Sequence, residues 1–351
     1  MEASSTGVFD ADGAEVVAET ATSTLDAPAR RWASGWRSFL LRPEMGLPII
    51  LLLLCIYLSF SSQYFLQYQN ILNITEAMAV VGIAAAFATL VMIGGGIDLT
   101  PVTVMVVAGI VCLHALNIGM PVPVVVLLAL LAGAGIGIVN GGLIAFLGLN
   151  PFIVTLGTNF LFTGLAYVAT DGNSQLISSV PFSKIGQSQL PGRIPVSTAI
   201  MLGAFVVGFF LLRATKFGTH VFAVGGGEDA ARLSGVRVRD VKMRIYILSA
   251  VSAALAGVVQ ASAGGSVAPY AASSSNDLLT ILAAVIIGGT ALTGGRGTIV
   301  GTFVGILLLG TIANGLVLKN ISSFYQPVVT GAILLIAIIL DELRRRLQPN
   351  Q

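Results

Sequence analysis

The chain has 351 residues, of which 55% are hydrophobic and 10% are charged, and its formal net charge at pH 7 is +2. Soluble domains carry about a quarter charged residues, so this composition excludes an ordinary soluble protein and predicts an all-α integral membrane protein. The near-neutral charge gives no indication of nucleic-acid binding. Cys55 and Cys112 both fall in apolar runs and form no disulfide or metal-binding pattern.

The first 45 residues are predicted to be an acidic cytoplasmic tail with a basic end next to the membrane. Residues 1–29 contain Asp and Glu but no Lys or Arg, in a Ser-, Thr- and Ala-rich background without apolar periodicity. That composition predicts disorder. Arg30 and Arg31 come too late for a secretory signal, whose basic residues precede its apolar core. We therefore expect the tail to stay in the cytoplasm.

Ten apolar runs follow, each of about the 20 residues that a membrane-crossing helix needs. With the amino terminus inside, all of the 18 Lys and Arg residues except Lys184, Arg193 and Lys319 fall on the cytoplasmic side, as the positive-inside rule requires. Both termini are then cytoplasmic, residues 171–196 form a long external loop, and residues 344–351 form a basic cytoplasmic tail after a membrane domain of residues 46–343. The predicted helices cover residues 46–62, 75–93, 101–117, 121–147, 151–170, 197–213, 243–263, 278–292, 299–318 and 324–340.

Glycines line or interrupt several of these helices. Gly133, Gly137 and Gly141 recur at four-residue spacing, which predicts close packing against another helix. Glycine breaks at residues 94–96 and 288–297 lie in the two halves of the chain and indicate a weak internal repeat. Interrupted helices of this kind are common in transporters, where irregular backbone lines a cavity.

The sequence contains no pattern of residues that indicates a catalytic site. His114 and His220 are predicted on opposite sides of the membrane, so neither a catalytic triad nor a metal site is indicated. No Lys follows a Gly, which excludes the Gly-x-x-x-x-Gly-Lys-Ser/Thr loop that cradles ATP phosphates. We expect no catalytic residue, metal or cofactor in this chain, and an ATP-driven function would need a partner.

Polar residues within the apolar runs are the candidates for a translocation pathway. Asp98 precedes Thr100 and Pro101, a helix-start pattern, so its carboxylate is expected to accept backbone N–H groups; a direct role towards a solute or proton is the alternative. A stripe of hydroxyls and amides follows one face of the fifth helix and recurs on the seventh. Such groups suit a neutral polyhydroxylated solute, although hydrogen bonding between helices is the alternative. The candidate pathway residues are Asp98, Asn140, Thr155, Thr158, Asn159, Thr163, Ser249, Ser252 and Asn314.

A polar segment, residues 214–242, separates the sixth and seventh predicted helices. Within it, Glu228–Ser234 begins with two acids and has Arg232 near its end, which complements a helix dipole, and Gly235 fits a C′ cap. The pattern predicts a short helix in a cytoplasmic loop. A solvated connector is the alternative.

Four motifs together resemble the membrane-spanning permease of ribose-type ABC sugar importers, and the resemblance covers about residues 46–340. The motifs are Gly-Gly-Ile-Asp-Leu-Thr at 95–100, Asn-Pro-Phe-Ile-Val-Thr-Leu-Gly at 150–157, Ala-Val-Gly-Gly-Gly-Glu-Asp-Ala-Ala-Arg-Leu-Ser-Gly at 223–235, and Ile-Gly-Gly-Thr-Ala-Leu-Thr-Gly-Gly-Arg-Gly at 287–297.

The resemblance implies that the short cytoplasmic helix docks into a partner ATPase and passes its closure to the membrane helices. It also implies a bacterial cytoplasmic membrane location, a second copy or a paralogous permease, an ABC ATPase that binds ATP and Mg²⁺, and an extracytoplasmic sugar-binding protein. Gly227 stands where the family usually has Asn, and Thr219 where Arg is common. The implied coupling residues are Gly226, Glu228, Arg232, Leu233, Ser234 and Gly235.

The expected function is inward transport of a monosaccharide, a ribose-like pentose or a hexose, by alternating access driven by the partner's ATP cycle. An ion-coupled secondary carrier of a small neutral solute is the alternative, which the lack of central charges disfavours. A passive channel is a third reading. Selection of the sugar is expected to belong mostly to the binding protein, so the substrate is predicted only as a class.

Overall fold

The computed structural model describes residues 46–273, 275–322 and 324–347, which are mainly helical. The predicted acidic tail, residues 1–45, and residues 348–351 of the predicted basic tail lie outside this range. The helices are α1 (Gly46–Ser61), α2 (Tyr68–Ala77), α3 (Ala79–Ile93), α4 (Pro101–Asn117), α5 (Val122–Ala145), α6 (Pro151–Thr170), α7 (Val180–Gln187), α8 (Val196–Ala214), α9 (Lys216–Gly226), α10 (Glu228–Leu233), α11 (Val238–Gly264), α12 (Ser275–Ile287), α13 (Ile299–Leu318) and α14 (Tyr325–Leu347).

A 3-10 helix (Pro269–Ser273) and four two-residue strands complete the secondary structure of this part of the chain. The strands are β1 (Gln175–Leu176), β2 (Gln189–Leu190), β3 (Ile194–Pro195) and β4 (Ser266–Val267). β1 pairs antiparallel with β4, and β2 pairs antiparallel with β3. The predicted external loop, residues 171–196, therefore contains local structure, including α7, and is tied by β1 to the segment that follows α11.

Helix α11 lies at the centre of the fold. Its most apolar stretch is 72% buried, compared with 28% for α5 and for α6. It packs against α3, α4 and α5, and small residues at the contacts let neighbouring backbones approach closely. At Gly257, for example, an added Cβ would lie 2.6 Å from the Cα of Met105 in α4.

The glycine stripe of α5 packs on α11. A Cβ added at Gly137 would lie 2.7 Å from the Cα of Ile247, and one added at Gly141 would lie 2.8 Å from the sulfur of Met243. Positions further along α5 meet positions earlier in α11, so the two helices run antiparallel. The glycines spaced four residues apart thus form the surface of α5 along which its backbone comes close to that of α11.

Six segments are long and apolar enough to cross a membrane, or seven if α2 and α3, bent by 53° at the break between them, cross as one. The single helix expected at 75–93 is therefore two, and the helix expected at 278–292 ends at Ile287, where the backbone turns at Gly289 (φ +87°). Helices α1, α4 and the apolar part of α14 are shorter. The long segments are Val122–Ala145, Pro151–Thr170, Val196–Ala214, Val238–Gly264, Pro269–Ile287 and Ile299–Leu318.

Candidate coupling helix and polar cluster

The predicted coupling helix forms as α10, directly after a helix that the sequence did not indicate. That helix, α9, starts where the hydroxyl oxygen of Thr215 accepts the N–H of Gly218 at 3.2 Å. It ends at Gly226, and only Gly227 separates it from α10. Because the connection is a single residue, α10 is held close to the end of α9.

The end of α10 is a Schellman motif. Gly235 has a φ of +82°. Its N–H donates to the carbonyl of Arg232 at 3.0 Å, and the N–H of Val236 donates to the carbonyl of Ala231 at 3.0 Å. Glycine adopts this left-handed backbone without strain, which explains Gly235 at the C′ position.

Helix α10 turns one residue towards the core and the others outwards. Ala231 is buried and packs in the main hydrophobic core, whereas Leu233 is 90% exposed. Ser234 caps the helix, with its hydroxyl donating to the carbonyl of Ala230 at 2.9 Å. A leucine that projects from an anchored six-residue helix is available for contact with a partner.

Two ion pairs involve the predicted coupling residues. Glu228 pairs with the largely buried Lys242 of α11. Arg232 lies 3.6 Å from Asp229 within α10, and both side chains are exposed. The first pair ties α10 to α11, while the second, being solvent-exposed, contributes little to stability. The guanidinium of Arg232 is therefore accessible, and Glu228 already has a partner inside the chain.

A cavity of about 230 Å³ opens between α9 and the start of α11. Its lining includes Gly235 and four polar residues, His220, Arg237, Asp240 and Arg244. Arg237 pairs with Asp240 at 3.5 Å. With two arginines and one aspartate, the cavity favours an acidic contact beside α10.

Asp98 is the centre of a buried group of polar side chains. One carboxylate oxygen accepts the N–H of Thr100 at 2.9 Å and its hydroxyl at 2.5 Å. The other accepts the hydroxyl of Ser249 in α11 at 2.9 Å. The bond from the Thr100 N–H is the one expected at the start of α4. Within the described part of the chain, Asp98 forms no ion pair.

Side chains from α5 and α6 extend this group. Asn140 donates to the hydroxyl of Thr100 at 3.2 Å and accepts from the hydroxyl of Thr158 at 2.7 Å. Thr155 donates to the carbonyl of Ile97 at 3.1 Å. We call the resulting set the Asp98 cluster. It consists of Asp98, Thr100, Asn140, Thr155, Thr158 and Ser249.

Two further predicted residues of α6 bind α4 instead. The hydroxyl of Thr103 donates to the side-chain oxygen of Asn159, and it lies 3.1 Å from the hydroxyl of Thr163. The polar face of α6 is thus divided between the Asp98 cluster and Thr103.

The remaining two predicted pathway residues lie elsewhere. Ser252 donates to the carbonyl of Ile83 in α3 at 2.5 Å. Asn314 exchanges side-chain hydrogen bonds of 2.8 and 3.1 Å with Asn70 of α2. All nine predicted residues therefore hydrogen-bond within the bundle in this structure. A role in a pathway requires these bonds to exchange with those of a solute.

Three residues of the site were not candidates from the sequence. Thr100 is the N-cap residue of α4 and Thr103 lies in its first turn, a three-residue spacing that indicates one polar face and could have singled them out. Tyr246 is 1% exposed, and its hydroxyl has no hydrogen-bond partner among the described residues. It lies against Gly96, where an added Cβ would be 3.2 Å from the ring carbon that carries the hydroxyl. No local pattern marks this tyrosine.

Comparison with known proteins gives a consistent set of relatives. The family model "branched-chain amino acid transport system / permease component" matches residues 70–338. The chain is 41% identical to the ribose import permease protein of Bacillus subtilis (strain 168), over 85% of this chain and 92% of that protein. It is 35% identical to the ribose import permease protein of Escherichia coli (strain K12), over 84% and 92%. It is 33% identical to the L-arabinose ABC transporter permease protein of Azospirillum brasilense, over 91% and 92%. No solved structure matches the chain.

Proposed function

The chain belongs to the branched-chain amino acid transport system / permease component family, and on that premise we propose that it is the membrane-spanning subunit of an ATP-driven monosaccharide importer. Relatives that are 33% to 41% identical carry the names of ribose and L-arabinose permeases. Amino acids are mentioned only in the description of the family. A sugar is therefore the proposed substrate class. The chain is a multi-pass permease and not an enzyme.

The proposed topology is ten crossings with both termini in the cytoplasm. Within the described ranges, the six long segments, the bent pair and the three shorter helices make ten apolar segments. Segments assigned to one side also lie together. Gly95, Gly225 and Gly294 meet at the proposed inner end, whereas β1 pairs with β4 at the proposed outer end. These contacts support the relative topology, and the Lys and Arg distribution supplies the absolute orientation.

The proposed partners follow from what the chain lacks and what it exposes. ATP and Mg²⁺ would bind to a cytoplasmic ABC ATPase, since the chain has no phosphate-binding loop of its own. A second copy or a paralogous permease would complete the pathway, an extracytoplasmic binding protein would deliver the sugar, and the complex would lie in a bacterial cytoplasmic membrane.

The single observation that carries the coupling proposal is the exposed Leu233 on an anchored helix. Ala231 and the Glu228–Lys242 pair fix α10 to the membrane domain, while Leu233 and Arg232 project from it. A rigid helix with a projecting apolar residue suits docking into a cleft of a moving partner. Closure of the ATPase would then push on α9 and α11, and through them on the Asp98 cluster.

Purification of the tagged chain from its native membranes tests the proposal. We expect an ABC ATPase to co-elute, and the complex in vesicles to take up a pentose or hexose only when ATP and the binding protein are supplied. Leu233→Ala should strip the ATPase away, because this side chain is exposed and its loss leaves the fold intact. Leu147→Ala, a 67% exposed leucine on the same proposed side, is the matched control and should keep it.

A different result would overturn the proposal of an ATP-driven importer. If the chain elutes alone and takes up sugar when an ion gradient but no ATP is supplied, it is a secondary carrier. Glu228→Ala would be a poorer test than Leu233→Ala, since it also leaves Lys242 without its partner.

A further inference from the structure

Glycines from three segments far apart in the sequence meet at one point of the fold. The N–H of Gly295 donates to the carbonyl of Ile93 at 2.8 Å. A Cβ added at Gly294 would lie 2.7 Å from the Cα of Gly95 and 2.9 Å from the carbonyl oxygen of Gly225. We call this contact the glycine junction. Its members are Gly95, Gly225, Gly226, Gly294 and Gly295.

The junction is a contact of backbone on backbone. Gly95, Gly294 and Gly295 have φ values of +79°, +83° and +73°, which other residues adopt only with strain. Gly225 has an ordinary helical backbone, but a Cβ there would overlap the carbonyl oxygen of Ile93 and lie 2.6 Å from the nitrogen of Gly295. No side chain therefore separates the three segments, and no rotamer change can absorb a displacement between them.

Each segment of the junction leads to a different part of the machinery. Gly225 lies in the last turn of α9, two residues before Gly227 and the start of α10. Gly95 lies in the turn that leads to Asp98, whose carboxylate binds α11 through Ser249. The third segment lies between α12 and α13, with Thr298 capping α13. The coupling helix, the Asp98 cluster and the α12–α13 connection thus share one contact.

We propose that Gly225 is a positioning residue, through which movement of α10 is passed as a rigid displacement to the Asp98 turn and to the α12–α13 connection. The inference rests on the proposed function, because it concerns the route by which an ATPase acts on the pathway. Close-packed contacts transmit displacement with little loss. Because three segments meet in this contact, one movement of α10 would displace both the Asp98 turn and the α12–α13 connection. This route does not pass through the exposed face of α10, so docking and transmission are separable.

A second helical glycine gives a matched control. Gly225→Ala introduces a methyl group into the contact, whereas a Cβ at Gly142, in the last turn of α5, meets nothing within 4 Å. In the complex with its ATPase and binding protein, Gly225→Ala should retain the bound ATPase and its ATP hydrolysis, but sugar taken up per ATP hydrolysed should fall by about tenfold, a common size for coupling between sites. Gly142→Ala should have the wild-type ratio. A wild-type ratio in Gly225→Ala overturns the inference.

A measurement on the wild-type complex keeps the inference testable if Gly225→Ala fails to fold. Amide hydrogen exchange is followed in residues 90–98, 222–228 and 290–297, with and without a non-hydrolysable ATP analogue. We expect exchange to change in all three segments together. A change confined to residues 222–228 overturns the inference.

The two proposals fail in distinguishable ways. No ATP-dependent uptake by the wild-type complex overturns the proposed function, and the junction with it. ATP-dependent uptake by wild type, with unchanged coupling in Gly225→Ala or with exchange changes confined to residues 222–228, overturns the junction alone.

Discussion

Asp98 shows how one acidic side chain is held inside an apolar bundle. Its carboxylate is 4% exposed and accepts from the Thr100 N–H, the Thr100 hydroxyl and the Ser249 hydroxyl. An acid buried without an ion pair is costly unless hydrogen bonds compensate for the lost water. Asp98 therefore links the turn after α3 to α11. It stabilises the fold by accepting hydrogen bonds from donors that would otherwise be buried without a partner.

Substitution at Asp98 should separate this hydrogen bonding from charge. Asp98→Ala leaves the Thr100 N–H buried without a partner, which costs about 1–3 kcal/mol. Asp98→Asn keeps one oxygen for Thr100 and offers an amide N–H to Ser249, whose hydroxyl can accept. We expect thermal unfolding in detergent to show a clear loss of stability for the alanine variant and a smaller loss for the asparagine variant.

Ser249→Ala serves as the control for this pair. It removes the hydroxyl that donates to one carboxylate oxygen but leaves both Thr100 donors bound to Asp98, so its cost should lie below that of Asp98→Ala. Equal stability of the alanine and asparagine variants at position 98 would contradict the hydrogen-bonding account.

At the scale of elements, glycines decide how closely helices approach. On α5, Gly137 faces α11, and Gly135 two residues earlier has nothing within 4 Å of an added Cβ. Glycine is therefore required for close packing at position 137 but not at position 135. Where no neighbour is close, glycine only weakens the helix, by roughly 0.5–1 kcal/mol relative to alanine.

Alanine substitution should destabilise the protein at Gly137 but not at Gly135. Gly137→Ala places a methyl group 2.7 Å from the Cα of Ile247, so α5 and α11 must separate, and overpacking of this kind costs about 1–3 kcal/mol. Gly135→Ala should stabilise the protein or leave it unchanged. Thermal unfolding of both variants in the same detergent is the measurement. A Gly137→Ala protein as stable as wild type would show that the contact between α5 and α11 can widen freely.

Helix positions were predictable from sequence where a chemical signal marks the end. The expected spans 101–117, 151–170 and 299–318 coincide with α4, α6 and α13. Pro101 and Pro151 stand at the first position of their helices, and Thr298 caps the third. These residues act within one turn of chain, so the sequence alone carries the information.

Other boundaries depend on tertiary contacts and were missed. α11 begins at Val238, well before the apolar run at 243, and its charged first turns include Asp240, which pairs with Arg237. The predicted cytoplasmic loop contains α9, whose Val221 and Val224 are buried in the core. Polar residues conceal such helices, because a hydropathy pattern reports transfer into lipid and not packing against protein.

At the scale of the whole molecule, the sequence indicated the polar residues but not their partners. The polar residues of α6 lie on one face of the helix, yet Thr158 hydrogen-bonds to Asn140 of α5 and Asn159 to Thr103 of α4. These pairings depend on how helices distant in sequence are arranged. The glycine breaks at 94–96 and 288–297 were likewise predicted as a pair, whereas the contact of Gly95 and Gly294 with Gly225 follows only from the fold.

The absolute orientation of the protein can be tested with two exposed leucines. Leu233 on α10 is 90% exposed and is placed in the cytoplasm, whereas Leu176 in β1 is 79% exposed and is placed outside. With Cys55 and Cys112 first replaced by alanine, each leucine is changed to cysteine and intact cells are treated with a membrane-impermeant maleimide. Leu176→Cys should be labelled in intact cells, and Leu233→Cys only after permeabilisation.

The labelling pattern decides between the two possible orientations, because β1 and α10 lie at opposite ends of α11 in the proposed topology. The charge bias supports the inner position of α10, since Arg237, Arg239 and Lys242 lie beside it and positive residues are retained in the cytoplasm. Labelling of Leu233→Cys but not Leu176→Cys in intact cells would invert the protein and place α10 out of reach of a cytoplasmic ATPase. Labelling of both would show that the two ends share one side and would contradict the ten-crossing topology.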